Sequence, residues 1–286
     1  MVQTVQAYRR KQEEDQIRAK CRRSILSAAR WQHLDSLAAQ LEQIVPDLSQ
    51  QDTNSDFRDS YWHLKMRIQH AFQCEMMLNA IRYLNKDKIT IVDIGDSAGT
   101  HMMYIRELAR HFCEVKTISV NLDPVAVQKI KARGLNAIQC RAEEVEKFIH
   151  DPVDLFTSFQ MVEHLHNPAL FFHRLAKNVS CNFFLVSVPF LRQSRVGLHS
   201  IRNNFKTKIF AEMEHIFELS PEDWSLLFLH SGWRVHQQQT YFQYRPGLIG
   251  SQPMRKFWIK NDYEGFWGAL LSRDTEIADR YQDWEN

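Results

Sequence analysis

The amino-acid sequence predicts a doubly wound α/β fold, in which helices cover both faces of a parallel sheet. Apolar runs of strand length alternate with amphipathic helical patterns from about residue 89 to residue 239, and this order of elements is typical of a parallel sheet. The run Phe183-Phe184-Leu185-Val186 is apolar at consecutive positions, as strands buried on both faces are. A glycine-containing loop joins the first strand of this region to the helix that follows it.

Five parallel strands and the helices between them are predicted in regular order. The strands are expected at residues 89–94, 115–120, 137–140, 153–159 and 182–188, with helical patterns at about 102–109, 124–133, 143–149 and 168–179. A helix from Ser220 ends before Gly232, and residues 233–239 supply a sixth strand. A further strand lies in one of two aromatic runs, residues 256–260 or residues 266–272, and the sequence does not decide between them.

The N-terminal 85 residues are predicted to form a helical extension or cap on a second unit, residues 86–286. They contain no glycine and one proline, Pro46. One helix face before this proline is marked by Leu34, Leu37, Leu41 and Ile44. Residues 47–60 have the polar composition of a linker, and residues 61–84 form a second helix. The basic stretch at residues 1–30 is either a solvated helix face or an arm that contacts a partner, such as a second copy of the chain.

Composition excludes several classes of protein. The net charge of +2 and the pI near 8.2 are too balanced to indicate a nucleic-acid partner. The five cysteines are odd in number and form no C-x-x-C pair, so neither a disulfide framework nor a zinc site is predicted, and a reducing cytoplasm fits best. No apolar run approaches the length of a membrane span, and the polar N-terminus does not resemble a signal peptide.

The loop at residues 90–101, with the sequence T-I-V-D-I-G-D-S-A-G-T-H, is the strongest candidate for a ligand site. Glycines permit a tight turn and let a ligand approach the backbone, while a helix N-terminus presents free N–H groups. Ligands of doubly wound sheets bind beyond the carboxyl ends of the strands. We therefore expect a small molecule to bind at this loop.

Six segments in the same order resemble the successive motifs of class I S-adenosylmethionine-dependent methyltransferases. They are V-D-I-G-D-S-A-G-T, I-S-V-N-L-D-P, C-R-A-E-E-V, D-L-F-T-S-F-Q-M-V-E-H-L-H-N-P, F-L-V-S-V-P and E-H-I-F-E-L-S-P-E-D-W with H-S-G-W, between about residues 89 and 239. The resemblance implies a Rossmann-like seven-stranded sheet, S-adenosylmethionine as cofactor and methyl transfer as the activity. It is strongest to the branch that acts on small molecules, lipids, quinones and sugars.

The resemblance also implies which residues contact the cofactor. Asp93 matches the acid that orients the methionine amino group, although such a residue can also cap a turn. Gly95 and Gly99 let the backbone pass close to the cofactor, and Ser97 stands where the family has its middle glycine. The predicted cofactor-binding residues are Asp93, Gly95, Ser97, Gly99, Asn121, Leu122, Asp123, Ala142, Glu143, Gln160 and Met161.

Asn121 departs from the family pattern at the end of the second strand. An acid normally accepts both ribose hydroxyls there, whereas an asparagine side chain accepts through one oxygen and donates through its amide. Asp123, two residues on, is a candidate replacement. Glu143 is either a contact to the adenine edge, together with Ala142, or only an acid in the first turn of a helix.

The predicted catalytic residues are His164 and His215, because methylation of a hydroxyl needs a base and histidine suits neutral pH. Packing in the turn is the alternative role for His164, and His199 is a third candidate. Glu163 and His164 fall where certain quinone O-methyltransferases hold a divalent ion. Those relatives have an acid three residues earlier, where this chain has Gln160, so no metal is predicted.

These inferences predict a cytoplasmic methyltransferase that acts on an oxygen, or less readily a nitrogen, of a small molecule, lipid or glycan precursor. Cations between residues 192 and 208 would contact a phosphate or carboxylate of the acceptor, or belong to a solvated loop. Nucleic-acid methylation is disfavoured, and a homodimer through the N-terminal helices is a candidate assembly. The alternative is a methyltransferase-like protein that binds a ligand or partner without catalysis. A third possibility, an NAD-dependent enzyme, is disfavoured because the G-x-G-x-x-G spacing is absent and the E-H-L-H-N-P turn has no place in such an enzyme.

Overall fold

Within residues 2–49, 51 and 60–281, which are the residues that the computed structural model describes, the chain forms nine α-helices and nine strands. The helices are α1 Val2–Trp31, α2 Asp35–Ile44, α3 Ser60–Leu84, α4 Thr100–Ala109, α5 Pro124–Ala132, α6 Pro168–Asn178, α7 His199–Arg202, α8 Pro221–His230 and α9 Ser251–Asn261. The strands are β1 Lys88–Ile94, β2 Glu114–Asn121, β3 Asn136–Gln139, β4 Leu155–Phe159, β5 Phe183–Pro189, β6 Arg195–Val196, β7 Phe217–Glu218, β8 Trp233–Phe242 and β9 Gly265–Arg273.

Seven strands form one mixed sheet in the order β3-β2-β1-β4-β5-β9-β8. Strands β1 to β5 run parallel, whereas β9 pairs antiparallel with β5 and β8 pairs antiparallel with β9. The predicted doubly wound, seven-stranded fold is confirmed. The seventh strand is the run at residues 266–272, and the competing run at residues 256–260 lies in α9.

The central strands are buried on both faces, which explains their continuous apolar sequences. Neighbouring residues of a strand point to opposite faces of the sheet. In β1, Ile91 belongs to a core shared with Phe72 of α3, whereas Val92 belongs to a second core with Phe171 and Phe172 of α6. Helices therefore cover both faces of the sheet, and its carboxyl edge is left to the loops that carry the candidate site.

Helix α1 is tied to the far end of the chain. The Ser24 hydroxyl donates to the carbonyl oxygen of Gln243 over 2.7 Å and accepts from Nε1 of Trp258 over 3.0 Å. Gln32, just beyond α1, bonds through its side chain to both the N–H and the carbonyl group of Phe242. Although α1 and α3 are long, no helix in the described ranges is long and apolar enough to cross a membrane. Of the predicted linker, residues 50 and 52–59 lie outside the described residues.

One segment differs from its sequence-based description. The region between β5 and α8 was expected to be a basic loop, but it contains α7 and a separate two-stranded ribbon formed by β6 and β7. The acidic segment after β9 is exposed or partly exposed as far as Tyr281, although Ala278 is buried and Asp274 pairs with Arg234.

Candidate functional site

All the predicted cofactor residues lie at or just beyond the carboxyl ends of the first four parallel strands. Asp93, Gly95, Ser97 and Gly99 belong to β1 and the loop before α4, Asn121 ends β2, and Leu122 and Asp123 follow it. Ala142 and Glu143 open a 3-10 turn after β3, and Gln160 and Met161 follow β4. Their contacts with a cofactor stay predictions. The structure places them at one edge of the sheet, as the topology requires.

The glycine loop passes against the turn that follows β4. Gly95 has a φ of +94°, and a side-chain carbon added to it would lie 2.6 Å from Cγ of Met161. Gly99 has a φ of +75° and is the N-cap residue of α4. Since L residues with side chains rarely adopt these angles, both glycines are required by the backbone, and Gly95 is required by the close approach as well.

Asp96, which was not predicted from the sequence, stabilises the loop through hydrogen bonds of its buried carboxylate. Its Oδ1 accepts from the N–H groups of Ala98 and Gly99 over 3.1 and 2.7 Å, and its Oδ2 accepts from the Ser119 hydroxyl over 2.6 Å. Two N–H groups that would otherwise bind a phosphate are therefore occupied. The loop fits a ligand that approaches its backbone without presenting a phosphate. The Asp-x-x-Gly spacing before a helix was the signal for this clamp.

Asp93 lies in the sheet and caps no turn. It is buried, it accepts from the Thr157 hydroxyl over 2.7 Å, and it pairs in register with Ser119 of β2. Burial, together with the nearby charge of Asp96, raises the pKa of the Asp93 carboxyl well above its ordinary value. The role of cap belongs to Asp96 instead.

Asn121 bonds to the protein through both ends of its side-chain amide. Its Nδ2 donates to the carbonyl oxygen of Asp96 over 2.9 Å, and its Oδ1 accepts from the N–H of Asp123 over 2.7 Å. Asp123 uses Oδ1 to cap α5 at Val125, and no described residue bonds to its Oδ2. Leu122, between them, is 52% exposed. The free carboxylate oxygen near the end of β2 is therefore on Asp123.

The other predicted cofactor positions also have protein partners. The Ser97 hydroxyl accepts from Nε2 of Gln51 over 3.1 Å, so the segment after α2 reaches the glycine loop. Arg141 lies 3.4 Å from Oε1 of Glu143. Gln160 adopts a φ of +54°, which is uncommon for a residue with a side chain, and its Nε2 donates to the Ser187 hydroxyl over 3.0 Å.

A buried polar chain connects α3 and α4 to this edge of the sheet. Nε2 of Gln73 donates to Ser187 over 3.0 Å, and Oε1 of Gln73 lies 2.8 Å from Nε2 of His101. Because that amide oxygen can only accept, His101 carries its proton on Nε2. Burial lowers the pKa of His101 to about 3.

The neutral state of His101 makes protein stability depend on pH. Its pKa is depressed in the folded chain, so the unfolded chain binds more protons and stability falls as pH drops below the unfolded value of about 6.5. Between pH 7 and pH 5 this group should remove up to about 2 kcal/mol of stability. Urea unfolding of the wild type and of His101→Gln at both pH values checks this. The loss should be smaller in the variant by about that amount, and equal losses would contradict the assignment.

The predicted catalytic residues His164 and His215 are in contact. Their ring centroids are 4.6 Å apart at an interplanar angle of 87°. Nδ1 of His164 lies 3.0 Å from the carbonyl oxygens of both Ala211 and Glu214, so it carries a proton and donates. Burial lowers the pKa of His164 to about 4, so the ring is neutral at pH 7 with its lone pair on Nε2.

His215 is held from the other side by a buried carboxylate. Its Nδ1 lies 3.2 Å from Oε1 of Glu218 and 2.9 Å from the Tyr263 hydroxyl, which itself donates to Glu218. Burial works against a charged ring, but the hydrogen bond to Glu218 and the nearby acids outweigh it and raise the pKa of His215. His199 also bonds to Glu218, over 2.8 Å. Neither Glu218 nor Tyr263 was predicted from the sequence.

Glu163 completes the cluster. Its side chain is buried, and neither carboxylate oxygen has a hydrogen-bond partner among the described residues. Burial raises the pKa of Glu163 to about 7. Glu163, His164 and His215 each offer one ligand atom, and the three atoms lie within 4.8 Å of one another.

The cations between β5 and β7 are largely engaged within the protein. Arg192 pairs with the buried Glu264, and Arg195 pairs with Glu218. Arg202 donates to the carbonyl oxygens of Gly197 and Val196. These arginines therefore serve contacts within the protein, and the expectation that they bind a phosphate or carboxylate of the methyl acceptor has less support.

Comparison with known families and structures agrees with this geometry. Residues 68–238 match the family model described as "Methyltransferase domain". The comparison with curated proteins found no match.

Solved structures of the same fold include two methyltransferases with bound S-adenosylhomocysteine. One is 1,6-didemethyltoxoflavin-N1-methyltransferase from Burkholderia thailandensis, at 12% identity and a TM-score of 0.53, covering 84% of this chain and 89% of that one. The other is magnesium protoporphyrin IX methyltransferase from Synechocystis, at 9% identity and a TM-score of 0.51, covering 77% and 90%. The family match spans more than half of the sequence, so the chain belongs to the methyltransferase domain family and is a class I enzyme that uses S-adenosylmethionine.

Proposed function

We propose that the enzyme transfers the methyl group of S-adenosylmethionine to an oxygen, rather than a nitrogen, of a small molecule, lipid or glycan precursor. One observation carries this proposal. The contacting pair His164 and His215 lies in and beside the turn that also carries Met161, and Met161 packs against Gly95. A hydroxyl acceptor needs a group that takes its proton, whereas an amine with a free lone pair does not.

The cofactor would lie along the edge formed by the glycine loop and the end of β2. We assign its methionine portion to Asp93, Gly95, Gln160 and Met161. Its ribose is assigned to Asp123, because the side-chain atoms of Asn121 are already bonded and Oδ2 of Asp123 is free. Its adenine would lie between the exposed Leu122 and the turn at Ala142 and Glu143. Ser97 and Gly99 would shape the loop.

Positioning is the protein's main contribution to the reaction. When bound, S-adenosylmethionine supplies a methyl group that is already activated by the positive sulfur. The chain then has to hold the acceptor oxygen in line with that methyl group at about 3 Å. His164 and His215 would face the acceptor hydroxyl, and the backbone turn that begins at Gln160 would fix their distance from the methyl group.

The remaining parts of the proposal concern the setting of the enzyme. We propose that residues 1–85 act as a cap on the site, supported by the contacts of Gln51 with Ser97 and of Gln73 with His101.

All five cysteines are buried and free, which fits a reducing cytoplasm. A homodimer would form through the N-terminal helices. The alternative of a non-catalytic binding protein has no observation in its favour beyond Ser97 and Asn121.

A labelling experiment tests the acceptor class. The enzyme is incubated with radiolabelled S-adenosylmethionine and cell extract, and the labelled products are separated into small polar, lipid, protein and nucleic-acid fractions. We expect label in the small polar or lipid fraction, with nuclear magnetic resonance showing an O-methyl group. Label confined to protein or nucleic acid would contradict the proposal. Extract incubated without the enzyme gives the background.

A further inference from the structure

We propose that Glu163, His164 and His215 bind a divalent transition-metal ion. The proposal starts from the Glu163 carboxylate, which is 1% exposed and has no hydrogen-bond partner for either oxygen among the described residues. A carboxylate buried in this way is costly unless a cation pairs with it. The backbone of Glu163 is fixed by a hydrogen bond from the N–H of Ile216 to its carbonyl oxygen over 2.8 Å, which holds this turn beside the segment that carries His215.

The three ligand atoms are close enough to share one ion. Two ligands at about 2.1 Å from the same metal lie at most about 4.2 Å apart. The atoms offered by Glu163, His164 and His215 lie within 4.8 Å of one another. Small rotations of the side chains would therefore bring all three onto one ion.

The hydrogen bonds around the two histidines are those of metal ligands. A ligating histidine donates its other ring N–H to a carboxylate or a backbone carbonyl, which fixes the tautomer and the ring orientation. His164 donates from Nδ1 to the carbonyl oxygens of Ala211 and Glu214. His215 is bonded through Nδ1 to Glu218. Both rings therefore leave Nε2 for a ligand.

Glu218 is itself held rigidly, as a residue that orients a ligand should be. It is 2% exposed and accepts hydrogen bonds from Arg195, His199 and Tyr263. Together with His215, four groups therefore bond to this one carboxylate. His215 is the member of the proposed metal site that Glu218 contacts. A residue with only a packing role would not need this number of charged and polar partners.

The ligand set indicates the class of metal. Two imidazole nitrogens and one carboxylate oxygen suit Mn²⁺, Fe²⁺, Co²⁺ or Zn²⁺ rather than Mg²⁺ or Ca²⁺, which prefer oxygen ligands throughout. Three protein ligands leave coordination positions for an external group. This deepens the proposed function and rests on it at one point: the external group would be the acceptor hydroxyl, which a metal ion makes more acidic. In the metal-bound form the two histidines act as ligands, and the acidified hydroxyl gives its proton to water. A metal site at this position differs from the metal-free site that the sequence predicts. That prediction rested on Gln160, which stands in place of an acidic ligand, and did not include His215 as a ligand.

Direct metal binding tests the proposal without using catalysis. The full-length chain is stripped with chelator, and Co²⁺ and Mg²⁺ are titrated separately in a calorimeter with no cofactor or acceptor present. We expect one Co²⁺ per chain, and binding at least about 10-fold weaker for Mg²⁺. Glu163→Gln and His215→Gln should abolish Co²⁺ binding. Glu218→Gln keeps the size of the side chain but removes the charge that holds His215, and it should weaken Co²⁺ binding by about 10- to 100-fold.

The matched control is His236→Gln, which removes an exposed histidine on β8 and should leave Co²⁺ binding unchanged. Thermal unfolding of each variant shows whether it is folded, and His164→Gln provides a third ligand variant if either of the others is not. No Co²⁺ binding by the wild type, or equal binding by the folded ligand variants, would overturn the proposal. Methyl transfer that persists in the presence of chelator, together with absent Co²⁺ binding, would reject the metal and leave the proposed function standing.

Discussion

Replacing Gly95 by valine should abolish the binding of S-adenosylmethionine. A β-carbon at this position would lie 2.6 Å from Cγ and 2.9 Å from Cβ of Met161, and the backbone φ of +94° is unfavourable for any side chain. Valine, branched at Cβ, would push the turn after β4 away from the loop and fill the path by which a cofactor approaches the backbone. We expect a loss of affinity of at least about 100-fold, or roughly 3 kcal/mol, measured by calorimetry.

Gly134→Ala separates the effect of backbone strain from the effect of the steric contact with Met161. Gly134 has a similar φ of +73°, but an added side-chain carbon would meet nothing within 4 Å. Strain alone should therefore cost about 1 kcal/mol of stability and leave cofactor affinity within about 2-fold. If Gly95→Val binds S-adenosylmethionine as the wild type does, the cofactor has been assigned to the wrong loop.

Replacing Arg67 by methionine should produce the largest loss of stability. The Arg67 guanidinium is buried in α3 and donates to the carbonyl oxygens of Leu41, Val45 and Pro46 and to the Tyr104 hydroxyl. One side chain thus joins α2, α3 and α4. Methionine matches the length of the stem but leaves the buried Val45 carbonyl and the Tyr104 hydroxyl without their donor, whereas the Leu41 carbonyl still accepts from the N–H of Val45. Each buried group left unpaired costs about 1 to 3 kcal/mol. We expect a loss of about 3 kcal/mol or more in urea unfolding.

Arg106→Met is the matched control, because Arg106 is an exposed residue of α4. Its effect should stay within about 0.5 kcal/mol. A comparably small effect for Arg67→Met would show that the N-terminal helices do not depend on this residue for their attachment to α4.

Periodicity explains why the centre of the fold could be predicted. Strands such as the one containing Leu185 and Val186 are buried on both faces, so their sequences are apolar without interruption. Periodicity could not separate the two aromatic runs near the C-terminus, because Trp258 and Trp267 are both fully buried, one in a helix and one in a strand. The β6–β7 ribbon has two residues in each strand, which is too short to show a pattern.

Only those parts of the candidate site that have short sequence motifs could be predicted. The loop around Gly95 and the turn around His164 have their own short motifs, so both could be located from the sequence. Asp96 was not among the predicted site residues, and its three donors became visible only in the folded loop. The contact of His164 with His215 joins residues far apart in the sequence, and the orienting role of Glu218 depends on that contact.

Titration of the purified chain with S-adenosylmethionine and with S-adenosylhomocysteine is the most direct test of the cofactor site. Isothermal titration calorimetry should show one site per chain for each ligand, and Asp123→Ala should weaken both more than Asn121→Asp does, since Asp123 has the free carboxylate oxygen at the end of β2. If neither ligand binds the folded wild-type chain, the assignment of this edge of the sheet to a methyl-donating cofactor is contradicted.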